Sequence, residues 1–151
     1  LDMTIDEAAV FFEGKDKIIC NILKTMQRVG MGYITLGQKT PTISGGESQR
    51  IKLAKELSKG RNSKDILYIL DEPTTGLSFY DSQKLMDLLQ ELVDTGNSVI
   101  ITEHDPYVLS NCDYIIELGR GGGSDGGNII ATGTPSELKN NKNSIIGGYL
   151  F

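Results

Sequence analysis

Apolar residues recur along this chain in two patterns, and each pattern predicts one kind of element. Repeats three and four residues apart predict helices, whereas unbroken apolar runs of four or five residues predict buried strands. The strongest helical pattern covers 81–94, where five apolar residues share one face: Leu85, Leu88, Leu89, Leu92 and Val93. A second helix is predicted over 15–29, and the predicted strands cover 66–70, 99–102, 114–118 and 128–131.

Residues typical of helix starts complete the pattern. Capping boxes, in which serine or threonine is followed three residues later by glutamate, open predicted helices at Thr4, Ser44 and Thr134. Asp105 before Pro106 predicts one more short helix. Three segments are predicted to be irregular: a polar loop at 59–65, a glycine-rich turn or hairpin at 119–127, and the tail after the last helix, which is expected to be loosely held.

The order of these elements predicts the fold class. Helices come first, and strands then alternate with helices, which indicates an α/β fold with a mostly parallel sheet and flanking helices. The strands are apolar throughout, as in a sheet covered on both faces. Residues 1–40 are expected to form an amino-terminal helical segment, and residues 41–151 the α/β portion.

Composition restricts the class of protein. The 151 residues suffice for one domain with its own core, and hydrophobic and charged fractions of 38% and 23% are those of a globular protein. No apolar run reaches the ~20 residues that a membrane helix needs, so we expect no membrane partner, and the cysteine usage is that of reduced thiols in a cytoplasmic protein. Two distant cysteines, Cys20 and Cys112, and a single histidine argue against a zinc site within this chain.

The charge balance argues against strong DNA binding by this chain alone. Lys and Arg total 15 against 20 Asp and Glu, a net charge of -5, whereas a domain that binds a nucleic-acid backbone usually presents a basic face. The densest basic stretch, 50–61, is interleaved with apolar residues at helical spacing, which predicts a solvated helix face. We therefore expect weak binding to duplex DNA.

The stretch LYILDEPTT, residues 67–75, is the most informative segment for chemistry. An apolar strand ends in Asp71 and Glu72, and Pro73 stops the strand. One carboxylate can bind the hydrated magnesium ion that neutralises phosphates, and the next can accept a proton from an attacking water. Strands also end in acidic turn residues without any such role, so the pair alone leaves both interpretations open.

Two further segments favour nucleotide chemistry. In SGGESQR, residues 44–50, a serine and two glycines place backbone N–H groups at a helix start, where the helix dipole favours phosphate. His104, the only histidine, follows the second strand, and strand ends of an open parallel sheet form the ligand crevice. Each segment alone also fits a plain helix cap or a surface histidine. Their occurrence together with the paired carboxylates favours a nucleotide site.

In this order, SGGESQR, ILDEPTTGL and ITEHD resemble the signature motif, Walker B motif and switch histidine of ABC-type ATPases. The stretches LGQKTPTISGGESQRIKLAKEL, LVDTGNSVIITEHD and IIATGTPSEL resemble more specifically the second ATPase module of the UvrA family, the damage-recognition subunit of the bacterial excinuclease. The similarity runs through nearly the whole chain. The residues that the resemblance assigns are the signature Ser44, Gly45, Gly46 and Glu47, the magnesium-side carboxylate Asp71, acting through water, the catalytic base Glu72 and the phosphate-sensing His104.

The resemblance implies the carboxyl-terminal part of an ABC-type (P-loop NTPase) ATPase domain, with ATP and Mg²⁺ as cofactors. Its function would be ATP binding and hydrolysis in a DNA damage-recognition protein of nucleotide excision repair. In ABC ATPases each nucleotide lies between the Walker motifs of one module and the signature of another, so this chain would contribute to two sites and complete neither. The implied partners are the other ABC module of the same protein, a second copy in a homodimer, damaged DNA and a UvrB-like protein.

The chain departs from the family pattern in three respects. It has no GxxxxGK[ST] Walker A motif and no cysteine cluster, so we expect the carboxyl-terminal part of a longer protein, inactive alone, with any zinc upstream. Ser78 stands where typical members have histidine. Three alternatives stay open: a UvrA-like paralogue, for example in drug resistance, a transporter nucleotide-binding domain, and a non-enzymatic module that dimerises through the ABC surface. Intact Glu72 and His104 argue against the last.

Overall fold

The computed structural model describes residues 1–58, 64–119 and 126–151. Its helices and strands, in chain order, are α1 Ile5–Phe12, α2 Lys17–Arg28, α3 Gly45–Ser58, β1 Leu67–Asp71, α4 Phe79–Asp94, β2 Ser98–Thr102, α5 Pro106–Ser110, β3 Ile115–Leu118, β4 Ile129–Gly133 and α6 Pro135–Lys139. Every helix and strand expected from the sequence is confirmed. None of the helices in the described ranges is long and apolar enough to cross a bilayer.

Contacts divide the described residues into two compact units, Leu1–Thr102 and Glu103–Phe151. The subdomain boundary expected at residue 40 does not coincide with this division. Helices α2 and α3 lie on either side of that residue and pack together within the first unit. The boundary at residue 40 therefore stays a prediction about the subdomains of an ATPase.

A parallel strand pair organises the first unit. Strands β1 and β2 run side by side, with Leu67 opposite Ser98 and Asp71 opposite Thr102. Parallel strands need a crossover connection, and here helix α4 provides it. The helix packs on β2. This βαβ arrangement confirms the expected α/β fold. It also brings the carboxyl ends of both strands to the same edge of the sheet.

Helix α4 contributes most to the core of the first unit. Its amphipathic face buries four leucines against α2 and the sheet: Leu85, Leu88, Leu89 and Leu92. The helix begins at Ser78, whose hydroxyl accepts a hydrogen bond from the N–H of Asp81 at 3.2 Å. Serine is a strong N-cap residue. Capping of α4 therefore accounts for Ser78 at the position where histidine was expected.

Only one face of the β1–β2 pair is covered in the described chain. Leu70 is buried against the helices, whereas Leu67, Ile69 and Ile100 are 53%, 68% and 53% exposed. The helices of the first unit therefore cover one face of the pair, and cover of the other face stays a prediction. Both faces of the strand pair carry apolar side chains, and the helices of the first unit cover one of these faces.

The second unit contains an antiparallel pair. Strands β3 and β4 pair with Ile115 opposite Gly133, so the expectation of a mostly parallel sheet holds for the first unit only. The pairing confirms the hairpin predicted around the glycine-rich segment, whose residues 120–125 lie outside the described ones. Most of the predicted polar loop, residues 59–63, also lies outside them.

The carboxyl-terminal tail is held firmly by one buried carboxylate, contrary to expectation. Glu117 of β3 accepts hydrogen bonds from the hydroxyl of Ser144 at 2.6 Å and from the N–H groups of Ile145 and Ile146 at 2.8 and 3.0 Å. A 3₁₀ turn, Ile146–Tyr149, follows, and Leu150 is buried in the core of this unit. The sequence gives no periodic signal for this, because a single acidic residue in a strand carries the interaction.

Candidate functional site

The carboxyl edge of the parallel pair is organised around one threonine. The hydroxyl of Thr102, at the end of β2, donates a hydrogen bond to the Oδ1 atom of Asp71, at the end of β1. The backbone N–H of Glu72 donates to the carbonyl of Thr102 at 3.0 Å and to its hydroxyl oxygen at 3.3 Å. Thr102 of the neighbouring strand therefore binds the carboxylate of Asp71 and the backbone N–H of Glu72.

Glu72 has an unusual backbone conformation. Its φ is +43°, in the left-handed region of backbone conformation that residues other than glycine rarely adopt. This conformation costs about 1–3 kcal/mol. A turn follows, in which the N–H of Thr75 donates to the carbonyl of Glu72 at 3.1 Å. The hydroxyl of Thr75 also lies 3.4 Å from the Oε2 atom of Glu72. Glu72 therefore lies in the turn that ends the strand, and it is exposed to solvent.

The predicted capping box at Ser44 is present at the start of α3. The N–H of Ser44 donates to Oε2 of Glu47 at 2.7 Å, and the N–H of Glu47 donates back to the Ser44 hydroxyl at 3.3 Å. The hydroxyl of Tyr33 donates to the other oxygen of Glu47. This hydrogen bond from Tyr33, followed by the one from the Ser44 backbone, lowers the pKa of Glu47 below its ordinary value.

The first turn of α3 leaves donors open to solvent. Within the described part of the chain, the backbone N–H groups of Gly45 and Gly46 have no hydrogen-bond partner. Ser44 and Gly45 are exposed, and a Cβ atom at Gly45 would meet nothing within 4 Å. Unpaired N–H groups at a helix start carry partial positive charge and attract anions. The geometry therefore fits the predicted phosphate-binding role of this turn.

Helix α3 is attached to β1 and to the turn that follows it. Arg50 is 1% exposed, and its Nη1 atom donates to the carbonyls of Pro73 and Thr75, each at 3.0 Å. The amide of Gln49, oriented to suit its neighbours, donates to the carbonyl of Asp71 and accepts from its N–H, both at 2.8 Å. These two side chains connect the signature turn to the segment that carries the carboxylates.

Arg50 corrects the prediction of a solvated basic face over 50–61. Lys52 and Lys55 are exposed as expected, but Arg50 lies on the buried stripe of α3 together with Leu53 and Ala54. Its Nε and Nη2 atoms are buried without a hydrogen-bond partner among the described residues. The spacing i, i+3, i+4 was the available signal, since it places Arg50 on the same face as the buried apolar residues.

Gly46 is required by close packing at this connection. A Cβ atom there would lie 3.2 Å from Nη1 of Arg50 and 3.3 Å from the carbonyl oxygen of Thr75. Such contacts are tight, so a larger residue would push α3 away from the turn after β1. The glycine therefore serves the packing of the helix as well as access to its N–H groups.

His104 belongs to the second compact unit. It follows the last residue of β2 by two positions, its side chain is exposed, and its N–H donates to the Glu103 carboxylate at 3.2 Å. The structure thus brings Asp71 and Glu72 together and connects them to the signature turn. The placement of His104 relative to them stays a prediction.

The donors at the strand edge suit a magnesium ion. Asp71 offers carboxylate oxygens, and Mg²⁺ is usually held by one or two carboxylates together with water and substrate phosphates. Among the described residues, no group of three His, Cys, Asp or Glu side chains is close enough to form an all-protein metal site. A single carboxylate at an exposed edge fits an ion that also binds nucleotide phosphates.

Comparison with known proteins reveals close relatives over almost the whole chain. UvrABC system protein A of Aquifex aeolicus (strain VF5) is 53% identical over 150 residues, which are 99% of this chain and 16% of that protein. UvrABC system protein A of Staphylococcus aureus (strain COL) is 52% identical, with the same shares. No protein-family profile matches the chain.

A solved structure is similar in fold as well. The crystal structure of UvrA2 from Deinococcus radiodurans superposes with a TM-score of 0.84 at 45% identity and covers 99% of this chain and 18% of that one. This chain therefore spans only a small part of the length of these relatives. Their names favour the UvrA interpretation over a transporter domain or a drug-resistance paralogue.

Proposed function

We propose that this chain is part of a UvrA-type ABC ATPase and that it supplies hydrolytic and signature residues for ATP turnover in a nucleotide excision repair protein. The observation that carries the proposal is the arrangement at the edge of the sheet. There Asp71 and Glu72 are fixed side by side by Thr102, and the signature turn is attached to the same segment through Gln49 and Arg50.

The two carboxylates take different roles. Asp71 would hold Mg²⁺ through water, and the ion, when bound with ATP, would neutralise charge on the phosphates. Glu72 is exposed in the turn after β1, so its carboxylate can accept a proton from a water that attacks the γ-phosphate. His104 follows the neighbouring strand and would contact the γ-phosphate, which makes it the proposed phosphate sensor.

The signature turn serves a second nucleotide. In ABC ATPases the signature of one module closes over the nucleotide held by the Walker motifs of another. Ser44, Gly45, Gly46 and Glu47 would therefore bind an ATP other than the one that Asp71 and Glu72 act upon. The unpaired N–H groups of Gly45 and Gly46 support this role, because they can donate to phosphate oxygens. The partner would be the other ABC module of the same protein.

The whole protein would act on damaged DNA. The relatives are named as components of the UvrABC system, so we propose damaged DNA, a UvrB-like protein and a second copy of the protein as partners. The net charge of -5 supports placing most DNA-contacting surface outside these 151 residues. The absence of GxxxxGK[ST] from the sequence supports negligible ATP turnover by this chain alone.

The test is single-turnover ATP hydrolysis in a longer UvrA protein that carries this chain, with its two sites silenced one at a time. Glu72→Gln keeps size but cannot accept a proton, so the rate at its site should fall by ~10²–10⁴-fold while ATP still binds. Ser44→Ala, which removes an exposed hydroxyl of the signature turn, should impair the other site. Glu13→Gln, an exposed glutamate at the end of α1, is the matched control and should leave both rates unchanged.

Two outcomes would contradict the proposal. If Glu72→Gln leaves both rates at the level of Glu13→Gln, Glu72 is not the base. If Glu72→Gln and Ser44→Ala impair the same site, the assignment of signature and carboxylates to different nucleotides is wrong.

A further inference from the structure

We propose that Thr102 is a positioning residue for ATP hydrolysis, because its hydroxyl holds the Asp71 carboxylate and the Glu72 backbone in one arrangement. The inference rests on the proposed function, since it concerns turnover only if these two acids have the roles given above. Neither the predicted motif residues nor the resemblance to ABC ATPases assigned any role to Thr102.

The hydroxyl group uses both its hydrogen-bonding capacities at this point. A threonine hydroxyl has one donor and two acceptor lone pairs. The donor goes to Oδ1 of Asp71, and one acceptor receives the N–H of Glu72 at 3.3 Å. The same N–H also binds the carbonyl of Thr102 at 3.0 Å, which continues the parallel ladder one residue past Asp71. One side chain therefore contacts both acids.

Both hydrogen bonds of the Thr102 hydroxyl hold a group that would otherwise change its position, the Asp71 carboxylate in one case and the Glu72 backbone in the other. Asp71 and Glu72 are exposed, so water competes for their polar groups and their negative charges repel each other. The backbone of Glu72 is in the left-handed region, which persists only where the surroundings hold it. Without the hydroxyl, the Asp71 carboxylate would be free to rotate, and the N–H of Glu72 would lose its second acceptor. The ion and the base would then be less well placed.

The expected effect is on the metal requirement and on the chemical step. Outer-sphere partners of metal-ligating groups typically contribute about 10–100-fold to metal affinity or activity. Thr102→Val keeps the β-branched shape, which suits a strand, and removes only the hydroxyl. We expect the Mg²⁺ concentration for half-maximal single-turnover hydrolysis to rise by about 10–100-fold. ATP affinity without metal should stay unchanged.

The experiment compares four variants in the longer UvrA protein that carries this chain. Thr102→Val and Thr102→Ala remove the hydroxyl in two ways, so misfolding of one does not decide the result. Thr102→Ser keeps the hydroxyl and should restore the normal Mg²⁺ requirement. Ser98→Ala removes a hydroxyl at the opposite end of β2 and is the control. Binding of Mn²⁺ in the presence of nucleotide, followed by electron paramagnetic resonance, supplies a readout independent of turnover.

The outcomes separate this inference from the proposed function. A normal metal requirement in both Thr102→Val and Thr102→Ala, or failure of Thr102→Ser to restore it, would overturn the positioning role. Glu72→Gln is measured alongside. If Glu72→Gln is inactive while Thr102→Val behaves as Ser98→Ala, only the role of Thr102 is wrong. If Glu72→Gln retains full turnover, the proposed function itself fails.

Discussion

Replacement of Arg50 by alanine should destabilise the first unit strongly. Arg50→Ala removes two hydrogen bonds from a charged donor, to Pro73 and Thr75, together worth roughly 3–6 kcal/mol. Truncation of a long buried side chain adds about 2–5 kcal/mol for lost packing and the cavity left behind. Removal of two buried N–H groups without partners among the described residues offsets about 2–6 kcal/mol.

The net expectation is a loss of ~4 kcal/mol, which is large beside the ~5–15 kcal/mol total stability of a typical domain. Urea denaturation of the 151-residue chain, followed by circular dichroism, measures the free energy of unfolding. Lys52→Ala, at an exposed position of the same helix, is the control and should change stability by no more than ~0.5 kcal/mol. Arg50→Met keeps much of the volume without donors, so its difference from Arg50→Ala measures the cavity contribution.

The reasoning fails if Arg50→Ala and Lys52→Ala unfold at the same urea concentration. That result would mean that the two hydrogen bonds of Arg50 merely balance the cost of burying its charge, as is known for some buried ionic groups. A large loss in Arg50→Ala with none in Arg50→Met would instead assign the whole effect to packing.

Two further predictions concern other carboxylates. Tyr33→Phe should raise the pKa of Glu47 toward its ordinary value, because the Tyr33 hydrogen bond is the largest cause of its lowering; a carboxyl-carbon NMR titration that shows no rise would contradict this. Glu117→Leu should leave the N–H groups of Ile145 and Ile146 unsatisfied, at about 1–3 kcal/mol each. Their amide hydrogen exchange should accelerate accordingly, with Glu13→Gln as the unaffected control, and unchanged protection would show that the tail is held by Leu150 instead.

The sequence predicted the regular elements well because their signals are local. The apolar stripe of α4, the cap at Ser44 and the run that ends at Asp71 each depend on residues close in the chain. The location of Asp71 and Glu72 was also predictable, since the apolar run of β1 ends at Asp71, and their roles stay predictions. What could not be predicted depends on residues far apart in sequence: Arg50 reaches carbonyls more than twenty positions away, and Glu117 binds a tail almost thirty positions away.

The uncovered sheet face shows a second limit. Apolar strands such as β1 predict burial, yet Ile69 is exposed because the helices of the first unit pack on the other face of the pair. The apolar composition of a strand shows that its side chains are suited to burial. Whether they are buried depends on which other segments of the protein pack against them. The role of Thr102 was missed because threonine is common in strands and its presence alone indicates no function. Its hydroxyl binds Asp71 because the strand register places the two residues opposite each other, and this register cannot be read from the sequence.

The pairing of Gln49 with the backbone of Asp71 has a consequence for how the sheet can grow. In β1 the N–H of Glu72 points toward β2, where it binds Thr102, so the polar backbone groups of Asp71 point to the opposite side. That side is the outer edge of the strand, where unpaired N–H and C=O groups would otherwise accept another strand. The Gln49 amide occupies both groups of Asp71 at 2.8 Å. At this level the outer edge of β1 is thereby occupied by Gln49, so another strand could pair with Asp71 only by displacing that amide.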